Sequence, residues 1–596
     1  MQTSILISIT KSGKASKCFM IRQFKNVNTL FLSLDKYEEE MDEKEDRDHT
    51  QDINKTIANI YIKKGKCYEK MKMIHKAIEM YHDSLEFDNA NPLAYLRVGW
   101  AHVRVDQIYE GYNFLKKGLK CKKDSIEILV KLSETILMMD DNKVKEKQEN
   151  AQKYITACLS IEPDNLDALI LLGRIKEKQG KLDESLEIYE KATNKDPKRP
   201  QSFYYLGQLF EKRKEIKKAI SAYKQCLFLD KDNFACAISL ATLLGNEGEH
   251  HKAAKYFKHA VDISPLSIAA RFGLGKTIQN ISDNKEAAIE HFEYVIQKDP
   301  SNYKAYCQMA IVYLDKSNYD KSCEMIKKCL SLNKKYVLGL VTMGNLLFET
   351  GSPSQSIKYH KRALKFNPKD IQALIGLGNA LYEAGEPATA IDYYKKAIDQ
   401  DETLSDVHYN LGNAMYLIED TEGAIKHYQV AIKLNPQKPE SYYNLGNALC
   451  VKLDYEKAIE YYKEAIELDE YNAPAFYNLG NAYYMISEFD KAIKTYQRAL
   501  KLNPESAECH FNIASAFNDK GDYENALRHY KHSLKSSAKL NEIGKDGSAQ
   551  YEKENIETMV CVVQACKQLK KYDEAKKFIK MIKEIDPSND VSMNDP

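Results

Sequence analysis

Small and apolar residues recur along this chain at a fixed beat. Counted from the glycine of a Leu-Gly pair, the residues twelve, sixteen, nineteen and twenty-four further on are small, aromatic, small and proline. Gly412 is followed by Ala424, Tyr428, Ala431 and Pro436, Gly480 by Ala492, Tyr496, Ala499 and Pro504, and Gly173 by Ser185, Tyr189, Ala192 and Pro197. With the glycine as position 8 and a turn of about 100° per residue, positions 4, 7, 8 and 11 share one helix face. In two units these are His408, Leu411, Gly412 and Met415, and Phe476, Leu479, Gly480 and Tyr483. The pattern predicts a first helix with a narrow apolar stripe and a second whose small residues at 20 and 27 allow close approach. Proline at position 32 then stops the second helix.

Anchors in this register fall at 65, 99, 133, 173, 207, 241, 275, 310, 344, 378, 412, 446, 480, 514 and 563, which makes fifteen units. From 310 to 514 every step is 34 residues; the step into 310 is 35, the step into 173 is 40, and the last is 49. This signature resembles the tetratricopeptide repeat, a helix–turn–helix unit of about 34 residues. The resemblance covers roughly residues 58–589. It implies an all-α fold, a right-handed α-solenoid of about fifteen repeats, because one helix pair cannot bury its face without neighbours.

Outside the register, residues 1–57 are expected to form a disordered leader. Its first part is basic (Lys11, Lys14, Lys17, Arg22, Lys25), and Asp35–Asp48 carries nine acids against three bases. No secretory signal is visible, since "SILISI" is short and lacks a basic flank. The array is expected over 58–540, a flexible insertion over 541–555, the last repeat over 556–589 and a tail over 590–596.

Composition narrows the function. The 596 residues are 43% hydrophobic and 29% charged, with a net charge of +1. That balance is ordinary for a folded protein and speaks against nucleic-acid binding, which calls for a strongly basic domain. No apolar run approaches the ~20 residues of a membrane span, so no membrane insertion is expected. Thirteen cysteines occur without a C-x-x-C pair, and no His accompanies Cys323/Cys329 or Cys561/Cys566 at ligand spacing. Buried reduced thiols and no metal follow. "GLGKT" at Gly273–Thr277 resembles the end of a phosphate loop, but the required glycine five residues earlier is Ala270. With no catalytic constellation, the expectation is a non-catalytic scaffold without cofactor or small-molecule substrate, placed in the cytoplasm, with a cytoskeletal or ciliary setting as the variant.

The residues that invite a binding role are polar ones inside the repeats. "YNLGNA" stands at Tyr409–Ala414, Tyr443–Ala448 and Tyr477–Ala482. Asn is a mediocre helix former, so its recurrence asks for a reason. Position 6 is Asn410, Asn444, Asn478 and Asn512; position 9 is Asn345, Asn379, Asn413, Asn447 and Asn481; position 5 is Tyr409, Tyr443, Tyr477 and Phe511. Positions 2, 5, 6, 9, 12 and 13 lie opposite the apolar stripe, and in tetratricopeptide proteins, by resemblance, they line the inner face. A carboxamide offers both donor and acceptor. The columns therefore look like the asparagine ladder of the O-linked N-acetylglucosamine transferase repeats, which implies binding of extended peptide segments of partner proteins. Bonding between neighbouring repeats is the other use of the same residues. An exposed tyrosine column, costly unless covered, tips the reading toward peptide binding. Replacing Asn410, Asn444 and Asn478 with Ala is accordingly expected to leave thermal stability intact.

The resemblance has bounds. Nine residues follow Pro587, too few for a transferase domain. The two-carboxylate clamp of chaperone adaptors fails too: Asn379 and Asn410 are in place, but Ile375, Glu440 and Asn444 stand where cations are needed. In the first three repeats position 6 is Lys63, Arg97 and Lys131, a column suited to an anionic segment such as Asp35–Asp48 folding back. The rival readings are a fixed subunit of a ciliary transport coat or a ubiquitin-ligase complex, and a substrate-recruiting arm for a separate transferase chain.

Overall fold

The computed structural model describes residues 29, 47–139, 144–281, 285–543, 549–586, 588–589 and 591. Among them are thirty helices, paired by short turns into fifteen repeats, and no strand. The expected all-α repeat architecture is what they show. The chain divides into two units, residues 1–294 and 295–596.

Within each unit the repeat chemistry is visible in contact. The anchor glycine is where the aromatic ring of position 24 lies down. A Cβ added to Gly412 or Gly446 would come 2.6 Å from Cε1 of Tyr428 or Tyr462. The rings themselves are fully buried, as at Tyr81, Tyr189, Tyr223, Tyr394, Tyr428, Tyr462 and Tyr496. In the Gly99 repeat Leu115 replaces the tyrosine and the two backbones close in instead. There a Cβ on Gly111 would sit 2.6 Å from the Gly99 carbonyl oxygen. In unit 2 one core runs from Leu374 to Ala516, built mainly from positions 7, 10, 11, 20, 21 and 24 of successive repeats.

Two boundaries differ from expectation. The first helix begins at Arg47, so it takes in the last part of the expected leader. Ile57 and Ile60 bury there, though the charged run before them masks the pattern. The insertion at 541–555 is largely helical, with helices Tyr523–Ile543 and Ala549–Gln568 entering it from both sides. Residues 544–548, most of the acidic block Asp35–Asp48 and most of the basic leader lie outside the described residues.

Candidate functional site

The asparagines of unit 2 are placed by the first helices Ile371–Glu383, Ser405–Leu417, Pro439–Val451, Ala473–Met485 and Ala507–Asp519. They do not stand free. Asn447 Oδ1 accepts from the Tyr462 hydroxyl of its own repeat at 2.8 Å and from Asn478 Nδ2 of the next at 2.9 Å. Asn478 Nδ2 also donates to the Tyr443 hydroxyl at 3.1 Å. The unit repeats in register: Tyr428 and Asn444 donate to Asn413 Oδ1 at 2.8 and 2.9 Å, and Tyr496 and Asn512 to Asn481 Oδ1 at 2.7 and 3.0 Å. Asn444 and Asn512 likewise reach Tyr409 and Tyr477 at 3.1 and 3.0 Å. The series begins at Asn379, which takes Tyr394 at 2.8 Å and Asn410 at 3.1 Å. It ends at Ser515, whose hydroxyl meets Tyr530 at 3.2 Å.

Position 9 thus satisfies a buried phenol and ties its repeat to the next through position 6. Burial pushes the phenols of Tyr394, Tyr428, Tyr462 and Tyr496 well up, so they remain O–H donors. Bonding between repeats, the other use considered above, is therefore present.

The exposed tyrosine column is not. Tyr409, Tyr443 and Tyr477 are half-buried, their rings tilted against Tyr428, Tyr462 and Tyr496 at 6.1, 6.1 and 5.9 Å. Lys438 Nζ lies 4.1 Å from the Tyr409 ring centre, and Phe511 packs edge-on to Tyr530 at 5.5 Å. These rings have partners already, so their cost to the fold gives no reason to invoke a ligand.

What the links leave over is regular. Each position-9 carboxamide from Asn379 to Asn481 spends its oxygen and keeps N–H capacity at Nδ2; each position-6 carboxamide spends its Nδ2 and keeps its oxygen. Nδ2 of Asn413 and Asn447 and Oδ1 of Asn444, Asn478 and Asn512 have no partner among the described residues, Asn481 Nδ2 turns one of its two N–H groups toward the Tyr477 hydroxyl, and none of these atoms is sealed from solvent. One donor and one acceptor per repeat remain.

Asn345 stands apart. Its repeat carries His360 in place of the buried tyrosine, and the next repeat has Gly376 at position 6. A cavity of about 400 Å³ opens there, lined by Asn345, His360, Gly376 and Asn379 among others. Sequence reasoning passed over it, although both substitutions break the repeat pattern and could have marked it.

In unit 1 the cationic column is interleaved with acids. Arg97 and Lys131 line one cavity of about 480 Å³ with Trp100, Arg174, Glu127, Glu134 and Asp167; Lys63 is exposed and outside it. Lys131 Nζ pairs with Glu134 at 2.8 Å and sits 3.7 Å from the Trp100 ring centre. Only Arg97 keeps an unpartnered enclosed atom, its Nε. The buried tyrosines of this unit use a different acceptor: Tyr81, Tyr189 and Tyr223 donate to Glu69, Glu177 and Glu211 at 2.8, 3.3 and 3.0 Å. Among the described residues no group of three or more His, Cys, Asp or Glu is arranged to hold a metal, and no helix is long and apolar enough to cross a membrane.

Family models described as tetratricopeptide repeat or TPR repeat match residues 58–91, 147–208, 201–227, 237–265, 303–336, 378–419, 418–450, 439–472, 473–506 and 507–540, together more than half of the chain. The chain belongs to the tetratricopeptide repeat family. Its repeats make it a protein-interaction scaffold in the coarse sense. Protein O-mannosyl-transferase TMTC3 of Mus musculus and of Homo sapiens each match at 23% identity over 124 residues, 18% of this chain. The match spans 14% of the length of those relatives. Among solved structures, a chain of the APC/C hetero-tetramer Cut9–Hcn1 is similar at 16% identity over 84% of this chain and 96% of that one, with a TM-score of 0.45. MamA is similar at 30% identity over 27% of this chain and 94% of its own, with a TM-score of 0.27. YrrB, described as a TPR protein with an unusual peptide-binding site, is 22% identical over 30% of this chain and 91% of its own, with a TM-score of 0.28.

Proposed function

We propose that the first-helix face of unit 2, from about Asn345 to Asn512, binds extended peptide segments of partner proteins. The observation that supports it is the leftover pair in each link, one N–H donor and one carbonyl acceptor repeating at every repeat. An extended backbone offers the complement, a C=O and an N–H at each residue, whatever its sequence. The links strengthen this reading, because a carboxamide already held by two bonds loses little freedom when a ligand arrives. Binding residues are then Asn345, Asn379, Asn413, Asn447 and Asn481 as donors and Asn410, Asn444, Asn478 and Asn512 as acceptors. Tyr409, Tyr443, Tyr477 and Phe511 form the wall beneath them.

The test is a selection of random twelve-residue peptides on the full chain, followed by hydrogen exchange of the chain with a retained peptide. Protection is expected in the first helices between 371 and 519. Protection confined to the second helices, or no retained peptide, overturns the reading.

A further inference from the structure

We infer that the cavity over Gly376 is an arginine-binding pocket, the place where a partner segment is anchored in register; this rests on the peptide-binding reading above. The cavity arises from two departures that meet in space. Where four later repeats have a buried tyrosine, the Gly344 repeat has His360, and where they have an asparagine at position 6, the Gly378 repeat has Gly376. A Cβ on Gly376 would stand 2.4 Å from His360 Cε1 and 2.6 Å from Nε2, and one on Gly344 2.5 Å from Nε2, so the ring lies close between the two glycines at the cavity wall. His360 is 0% exposed, and neither ring nitrogen has a hydrogen-bond partner. An enclosed unpaired polar group is costly, which marks a site that a ligand can relieve.

The lining chooses the ligand. Asp315 and Glu349 are the only charged residues on the cavity wall, and both are acids. Asn345, which receives neither a tyrosine hydroxyl nor a position-6 carboxamide, keeps its oxygen as an acceptor. Phe348 and Ile375 supply flat apolar walls. Acceptors therefore converge: an imidazole nitrogen, an amide oxygen and a carboxylate. A guanidinium matches them with several N–H donors in one plane and can lie against the Phe348 ring. Burial holds the imidazole pKa down to about 4, so the ring is neutral near pH 7 and does not repel the cation. The acid column continues in the adjoining cavity of about 240 Å³, which Glu383 lines together with Phe348 and Asn379. Further along, the same helix position holds the exposed Leu417, Val451 and Met485. A segment with arginine followed by apolar residues fits this order.

The experiment repeats the twelve-residue selection on the full chain and on the double variant His360→Tyr, Gly376→Asn, which installs the residues of the neighbouring repeats. Arginine should be enriched at one fixed place in peptides retained by the native chain and not in those retained by the variant. In a synthetic retained peptide, arginine→citrulline or arginine→lysine should weaken binding to the native chain about tenfold and leave the variant indifferent. Glu349→Gln, an exposed change that leaves the packing alone, should reproduce part of that loss. Arginine preference that survives the double variant, or equal binding of citrulline or lysine, overturns the pocket. Peptides that bind and weaken on Asn413→Asp with Asn447→Asp but show no preference for arginine overturn the pocket alone. Failure of the native chain to retain any peptide overturns the pocket and the peptide-binding reading together.

Discussion

The two units solve one problem in two ways. Where a repeat buries a tyrosine, the hydroxyl needs an acceptor. In unit 1 the acceptor is a carboxylate at position 12, and that carboxylate reaches a cation at position 13 of the next repeat: Glu69 pairs with Arg104 at 3.2 Å, and Glu177 with Lys212. In unit 2 the acceptor is a carboxamide at position 9, which takes a neutral carboxamide from the next repeat. The choice of acceptor decides what else the first helix can carry. Where position 12 serves the tyrosine, position 9 is released and varies through Lys66, Arg174 and Gln208. Where position 9 serves it, positions 6 and 9 are committed to asparagine. A face uniform along the chain is then a consequence of how the repeats are joined.

Acid should separate the units most. His360, His427 and His529, all in unit 2, have pKa values held down to about 4, His360 by burial and the others by burial and then by a neighbouring His. The folded value lies below the unfolded ~6.5, so the unfolded chain binds more protons in between. Stability is complete above pH ~6.5 and falls as pH drops toward 4. For the fully buried His360 the slope approaches about 1.4 kcal/mol per pH unit. Hydrogen exchange at pH 7 and 5 should show unit 2 opening first around helix Pro353–Phe366, and equal loss in both units would contradict this.

Asn447→Ala comes next. It takes the amide acceptor from the buried Tyr462 hydroxyl, leaving it the weak Cys450 Sγ contact at 3.5 Å, and frees one N–H of Asn478, at a cost of about 1–3 kcal/mol. Local exchange across residues 439–485 should rise by a factor of about 5–150. The triple change of Asn410, Asn444 and Asn478 should likewise lower the melting temperature, contrary to what the sequence suggested, since each of these donates to another repeat. Unchanged protection would mean the links carry no energy.

A smaller effect is expected from salt. The Glu69–Arg104 and Glu177–Lys212 pairs are part-exposed and worth about 0.2–1 kcal/mol each, and 1 M salt screens them. The carboxamide links are neutral and should not respond. Glu177→Gln keeps an acceptor for Tyr189, so it should cost little and remove the share of the local salt dependence that the Glu177–Lys212 pair contributes. Smallest is Leu453→Gly, at φ 63° and exposed. Relief of the left-handed backbone should add up to about 1 kcal/mol of stability, read as a slightly higher urea midpoint.

The repeat register was legible because it is periodic in one dimension: Gly412 and Tyr428 announce their contact by a fixed spacing of sixteen residues. The use made of the asparagines was not, because an Asn447–Asn478 bond depends on how far one repeat is offset against the next. A trace of it was nonetheless present. Asn at position 6 occurs where position 9 of the preceding repeat is Asn, at 379/410, 413/444, 447/478 and 481/512, and fails at 345, where Gly376 follows. The start at Arg47 was hidden for a different reason, since charged residues dilute the Ile53, Ile57 and Ile60 stripe until its packing partners are seen. His360 and Gly376 each break the pattern in the sequence, but a histidine at an aromatic position reads as filler until its unpaired nitrogens and the cavity beside Gly376 are seen together.

In the proposed binding mode one carboxamide does two jobs, its oxygen joining repeats and its Nδ2 serving a peptide. Asn413→Asp combined with Asn447→Asp separates them, because a carboxylate still accepts from Tyr428, Tyr462, Asn444 and Asn478 but presents an acceptor where the donor was. The measurement is peptide affinity by fluorescence anisotropy on this full-length variant, beside its urea midpoint. The midpoint should stay unchanged and, at about 0.5–1.5 kcal/mol for each lost bond, affinity should weaken roughly 5- to 150-fold. Unchanged affinity, or a midpoint that falls as far as it does for Asn447→Ala, would mean that the carboxamides do not serve both the repeat joints and a peptide.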